Sequence, residues 1–210
     1  MNTPTKITFV RIVVVVVTMI ALFVLHFIPT LNTPFLGNTG INLIYLIVFV
    51  VFLFACITDF LDGYLARKNN QVTDLGKFLD PVADKILING LLIFLVNHAF
   101  FAPYNTEQVF DYNGWCVILL ILRDIVVDAL RFIAANKGVV ISANIFGKIK
   151  TVLEMVSISL ILLNGFPFAY LGVAGYWIVN SVVYITTFMS LLSGAVYVYK
   201  NRIVFKKESK

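Results

Sequence analysis

Four aspartates stand at helical spacing in a stretch otherwise apolar enough for a membrane: Asp59 and Asp62, then Asp80 and Asp84. A charged side chain near the bilayer centre costs about 3 kcal/mol even on lenient scales, so acids this dense in hydrophobic helices mark a functional site. Residues three, four and seven apart share a helix face. Asp59, Asp62, Gly63 and Ala66 therefore make one stripe, and Asp80 and Asp84 another. Where two such helices pack, the carboxylates converge, and they repel and take up protons unless cations neutralise them. All-oxygen ligation selects hard divalent ions, Mg2+ or Mn2+.

Gly63, Ala66 and Gly76 flank the acids on the same faces and leave room for a bulky ligand. Arg67, one turn beyond Gly63, offers a guanidinium that forks onto a phosphate or stacks on a base. Oxygen ligands, paired metals, a small-residue groove and a cation describe a diphosphate site suited to in-line displacement at phosphorus. The competing reading is a set of intramembrane salt bridges from the aspartates to Arg67, Lys68, Lys77 and Lys85. It leaves the small residues in register with the acids unexplained.

The elements that must position these groups are membrane helices. The 210 residues are 60% hydrophobic and 13% charged, more apolar surface than one soluble core absorbs. Apolar runs near the roughly 20 residues that cross a bilayer fall at about 7–29, 41–66, 82–98, 115–136, 147–164 and 171–198. The expected fold is all-α, a polytopic membrane protein with six transmembrane helices in a single domain over 1–210. The first run has no small-residue cleavage site and reads as a permanent span rather than a signal peptide. Cys56 and Cys116 sit inside spans without ligating neighbours and read as packing residues.

Lys6, Arg67, Lys68, Lys77, Lys137, Lys148, Lys200, Arg202, Lys206, Lys207 and Lys210 fall on one side of such a bundle, whereas the connections at 30–40, 99–114 and 165–170 hold no Lys or Arg. That asymmetry places both termini and the aspartates on the cytoplasmic side of a cytoplasmic membrane. Membrane lipids are expected partners and nucleic acid is not. The last span carries Ser181, Thr186, Thr187, Ser190, Ser193 and Gly194, a pattern that favours close packing or a subunit contact over a polar pathway. The absence of an inverted repeat weighs against the rival class, a cation-coupled transporter.

The pattern D-x-x-D-G-x-x-A-R, eight residues, then G-x-x-x-D-x-x-x-D, from Asp59 to Asp84, resembles the signature of the CDP-alcohol phosphotransferase family, with every fixed position present. The resemblance implies six membrane helices, a homodimer, and two divalent ions held by Asp59, Asp62, Asp80 and Asp84. It implies Asp84 as general base on the acceptor hydroxyl. By the same carry-over Asp62, Gly63, Ala66, Arg67 and Gly76 line the CDP pocket.

Three further stretches resemble members of the family whose acceptor is glycerol 3-phosphate: Asn2-x-Pro4-x-x-x-Thr8-x-x-Arg11, Arg123-Asp124-x-x-x-x-x-Leu130-Arg131 and Asn144-x-x-Gly147-Lys148-x-Lys150-Thr151. Asp124 stands where Glu is commoner and Asp128 where a small polar residue is commoner. The implied reaction moves a phosphatidyl group from CDP-diacylglycerol to sn-glycerol 3-phosphate, with inositol phosphate or serine as alternative acceptors. A small dianion calls for a cluster of cations, and Arg131, Lys137, Lys148 and Lys150 lie within about two turns of the cytoplasmic ends of their helices. Arg123 lies deeper and either joins them or pairs with an acid, and Asp124, Asp128 and Arg131 share a face that admits a structural triad. Arg11 reaches the same pocket or snorkels to headgroups. Glu154 reads as a partner for one of these cations, and His26 and His98 as interfacial residues.

Overall fold

The computed structural model describes residues 3–28, 41–68, 74–96, 110–138 and 145–202. Among them the chain forms six α-helices: α1 (Thr3–His26), α2 (Leu43–Lys68), α3 (Asp74–Phe94), α4 (Gly114–Asn136), α5 (Ile145–Leu162) and α6 (Val173–Lys200). A short 3-10 turn, Phe168–Leu171, leads into α6. Asn2, His98, Asn144, Lys206, Lys207, Lys210, the whole connection at 30–40 and most of that at 99–114 lie outside the described residues, as do the side chains of Pro4, His26, Ala66, Arg67, Lys77 and Asp80.

Three stretches are long and apolar enough to cross a membrane: Thr5–Leu25, Leu43–Tyr64 and Val173–Lys200. Their outward faces are apolar, with Phe9, Val13, Val17, Ile20 and Phe23 on α1 and Ile47, Val50, Phe54, Ile57 and Phe60 on α2 all exposed. In water such faces carry a large free-energy penalty; in lipid they carry none. The chain is a membrane protein. The expected six spans thus appear as six helices, of which three meet a strict apolar criterion. The other helices, α3, α4 and α5, carry most of the ionisable residues around a cavity that they form with α6, while Arg11 on α1 and Asp59 and Asp62 on α2 lie within the apolar set.

α3 begins at Asp74, eight residues before the apolar run at 82 that announced it. Its first half holds Asp74, Lys77 and Asp80, whose charge hides a helix from hydropathy, and Pro81 lies within it. α4 opens on Asn113, whose side chain accepts a hydrogen bond from the Trp115 N–H at 3.0 Å. α5 ends as expected near Gly165, which has φ +73° and lies against Phe110, so that a Cβ there would stand 2.7 Å from the ring.

α1 packs on α2 and α3, while α6 packs on α4 and α5; α2 meets α5, and α3 meets α4, across the seam between the two groups. The core filling that seam includes Phe52, Leu91, Leu92, Leu120, Ile158 and Ile161, each at most 1% exposed. Cys56 and Cys116 are free thiols packed in it. The small and hydroxyl face of α6 (Val179, Val183, Thr186, Ser190, Ser193) turns inward onto α4 and α5 of the same chain, and the Thr186 hydroxyl lies 3.3 Å from the Leu153 carbonyl oxygen. It is a packing face, as the composition indicated, and Ser193 and Gly194 on it lie against Arg123 of α4.

Candidate active site

Thr8 and Arg11, one turn apart on α1, face the acid-bearing turn of α2. The Thr8 hydroxyl donates to Asp62 Oδ2 at 2.9 Å. The Arg11 guanidinium donates to Asp59 through Nη1 and lies 3.6 Å from Asp62 Oδ2 through Nη2. Arg11 is 3% exposed, so it does not snorkel to headgroups; its place is on the motif carboxylates rather than among the cations expected to hold the acceptor. Salt bridges from the aspartates to Arg67, Lys68, Lys77 and Lys85 are the alternative that the sequence leaves open. Among the described side chains, which do not include Arg67 and Lys77, the cation on Asp59 is Arg11, and Lys85 pairs with Asp128 on α4.

α3 brings Asp84 up to this group. Asp84, Asp59, Arg11, Cys56 and Met155 line one small pocket, so the second half of the motif meets the first where α3 passes α2. The same Asp84 also borders a larger cavity of about 230 Å3 between α3, α4, α5 and α6. That volume is below the range of drug-sized pockets and suits a small polar molecule. Arg123, Arg131, Lys148 and Lys150, four of the expected acceptor-binding cations, all line it. Lys137 closes α4 at its C-cap and is not among the lining residues.

The walls of this cavity are heavily paired. Lys150 Nζ lies 3.1 and 3.0 Å from the two Asp124 carboxylate oxygens and 2.6 Å from Glu154 Oε2. Arg123 donates through Nη1 to Asp124 at 2.8 Å and through Nη2 to the Ser193 hydroxyl at 2.5 Å. Gly194 makes room for it, since a Cβ there would stand 2.8 Å from Arg123 Cγ. Arg131 donates from Nε to the Tyr197 hydroxyl at 3.0 Å, with its guanidinium 5.4 Å from the ring centre. Asp124, Asp128 and Arg131 therefore do not bond to one another as a triad; each is held by a different neighbour. Glu154 is the cation partner it was expected to be.

Sequence reasoning passed over Thr8 as a ligand of Asp62 and over Lys85, Asn89, Ser193 and Tyr197 as wall residues. The signal for Lys85 was its place one residue after Asp84. Ser193 and Tyr197 had none, because they approach α4 from residues 70 and 66 positions away.

Two motif carboxylates on one turn of α2 share a single cation, and a third borders the same pocket. The carboxylate oxygens of Asp59, Asp62 and Asp84 are donors of the kind a hard divalent ion takes, and the two acids on α2 are neutralised here by Arg11. Among the described residues no three acids stand close enough to ligate one ion, and the fourth motif side chain, Asp80, lies outside them.

Helices that bring motif acids beside a cavity lined by basic residues agree with what a family model finds in the sequence: residues 1–196 match CDP-alcohol phosphatidyltransferase, and the chain belongs to that family. Its relatives narrow the comparison. It is 36% identical over 206 residues, 95% of each chain, to a Bacillus subtilis protein named CDP-diacylglycerol–glycerol-3-phosphate 3-phosphatidyltransferase. Proteins of the same name from Mycoplasma pneumoniae (37% identity, 92% of this chain and 85% of the relative) and Rickettsia felis (30%, 93% of each) are similar to it along nearly the same length.

Proposed function

We infer that this chain is an integral membrane transferase that moves the phosphatidyl group of CDP-diacylglycerol to sn-glycerol 3-phosphate, forming phosphatidylglycerophosphate and CMP. The observation that carries the reading is the cavity beside Asp84. Five basic and four acidic side chains line it, and the acids Asp124, Asp128 and Glu154 each hold a cation. Arg131 and Lys148 have no acidic partner among the described residues, so two positive charges remain for a phosphate dianion.

The acceptor phosphate sits on Arg131 and Lys148. Arg123 and Lys150, tied to Asp124, Ser193 and Glu154, shape the wall and present their remaining protons to it, with Lys137 and Arg11 outside the cavity itself. This directs the free primary hydroxyl of the acceptor toward Asp84. The hydroxyl oxygen forms a bond to the β-phosphorus of the donor as the bond from that phosphorus to the CMP oxygen breaks, and Asp84 takes the hydroxyl proton. Two divalent ions, Mg2+ or Mn2+, on Asp59, Asp62, Asp80 and Asp84 would supply neutralisation of the diphosphate charge. Asp62, Gly63, Ala66, Arg67 and Gly76 line the CDP site. Arg11 and Thr8 fix the α2 carboxylates from the side of α1.

The chain then crosses the membrane six times as a single domain, with both termini and the site on the cytoplasmic side, and works as a homodimer. Charged walls on α3, α4 and α5 face the seam while lipid covers the outer faces, which is why those helices tolerate their charge. The test is CMP release from labelled CDP-diacylglycerol by the purified protein in mixed micelles, with glycerol 3-phosphate, inositol phosphate or serine as acceptor. Release with glycerol 3-phosphate that stops on EDTA addition and returns with Mg2+ or Mn2+ is expected. Release only with another acceptor overturns the assignment.

A further inference from the structure

Glu154 is the most deeply buried acid of the cavity wall, 2% exposed, and only half of its carboxylate has a use. Oε2 lies on Lys150 Nζ at 2.6 Å; Oε1 is buried with no hydrogen-bond partner. Leaving a buried charged oxygen unsatisfied costs more than a hydrogen bond normally returns, so such a group in a ligand cavity points to a missing donor. Lys150 holds the carboxylate from one side and fixes where the other oxygen stands.

The chemistry of the donor can be deduced. A carboxylate accepts and does not donate, and it repels a phosphate dianion. On the acceptor inferred above the only O–H donors are two hydroxyl groups. One of them reacts at phosphorus and delivers its proton to Asp84, which borders the same cavity as Glu154. The hydroxyl on the central carbon is left. We propose that Glu154 Oε1 accepts a hydrogen bond from this non-reacting hydroxyl, making Glu154 the residue that reads the acceptor as a diol phosphate. The proposal rests on the assignment of glycerol 3-phosphate as acceptor.

A site built to bond a substrate hydroxyl discriminates strongly against the analogue that lacks it, because its own buried group is then left unpaired. The analogue is 3-hydroxypropyl phosphate, which keeps the phosphate, the chain length and the reacting hydroxyl. With the full-length protein in mixed micelles, kcat/KM for glycerol 3-phosphate should exceed that for the analogue by roughly 10- to 100-fold, the range of one charge-assisted bond. Glu154→Gln, which weakens the acceptor at this position, and Glu154→Asp, which keeps the charge for Lys150 but withdraws it by one methylene, should each cut that preference to a few-fold. A merely structural Glu154 lowers both rates together and leaves their ratio unchanged. Equal use of the two acceptors by the native protein overturns the proposal, as does an unchanged ratio in whichever variant folds. Failure to use either acceptor refutes the functional assignment instead, so the two are told apart.

Discussion

Replacing Lys150 by methionine tests whether the cavity wall is held by its charges. Lys150 is buried at the meeting point of Asp124 and Glu154. Methionine matches its length and removes its charge. Asp124 keeps Arg123 at 2.8 Å and stays neutralised, but Glu154 has no other ion-pair partner among the described residues and becomes a lone buried anion. Breaking a buried ion pair from one side costs about 3–5 kcal/mol, a factor of roughly 100 to several thousand in the folded-to-unfolded ratio. Removing both partners is far milder, because replacing a whole buried pair by neutral groups is often without effect. Lys150→Met combined with Glu154→Gln should therefore recover most of what Lys150→Met loses. The assay is reversible unfolding in bicelles followed by circular dichroism, for both single variants and the double variant, which gives the coupling energy directly. A Lys150→Met variant within 1 kcal/mol of the native protein, or losses from the two substitutions that simply add, refutes the argument that these buried charges depend on each other.

Asp84→Asn keeps the shape of the side chain and removes the proton acceptor. Turnover should fall by roughly 100- to 10,000-fold while labelled CDP still binds, and retention of even a tenth of the activity contradicts the role of Asp84 as base. Gly194→Val places a side chain where even a Cβ lies 2.8 Å from Arg123 Cγ. Overpacking of about 1–3 kcal/mol should accompany a raised KM for the acceptor with the KM for CDP-diacylglycerol unchanged, and the reverse split between the two substrates argues against a role for Arg123 in the acceptor cavity. The Lys85–Asp128 pair is part-exposed, 35% and 42%, so Asp128→Ala should melt within about 1 kcal/mol of the native protein. A loss of several kcal/mol shows that this pair is desolvated and structural.

The motif half of the candidate site is legible from the chain because its code is local. Asp59 and Asp62 lie on one turn of one helix, and Asp80 and Asp84 on one turn of another, so helical periodicity alone shows that they share faces. The helix carrying the second pair was harder to delimit. α3 starts at Asp74 within a charged run, and only its second half has the hydropathy that announces a span. The acceptor cavity is legible in kind but not in wiring. Basic residues on the fourth and fifth helices are visible in the sequence, yet which of them an acid already holds depends on contacts between helices. Arg123 meets Ser193 across 70 residues, Lys150 meets Asp124 across 26, and Arg11 meets Asp59 across 48. No pattern in one segment encodes these pairings; they arise when α6 seats against α4 and α5, and α1 against α2.

The pairing also explains how so apolar a chain keeps this many ionisable groups in one cavity. An acid and a base in contact present little net charge to anything several ångströms away, so each pair is tolerable in a low-dielectric seam where a single charge is not. Arg123 with Asp124 and Lys150 between Asp124 and Glu154 are largely buried pairs of this kind, and the part-exposed pair of Lys85 with Asp128 completes the wall. Among the described residues the wall leaves over Arg131 and Lys148 without an acidic partner, which is what the proposed phosphate subsite needs, and Asp84 without a cation partner, which is what the proposed base needs. Asp84 borders both the acid pocket and the larger cavity. In the proposed reaction an acceptor proton from the larger cavity and a phosphorus at the motif carboxylates would therefore meet at one side chain, and a cation paired to Asp84 would oppose that role.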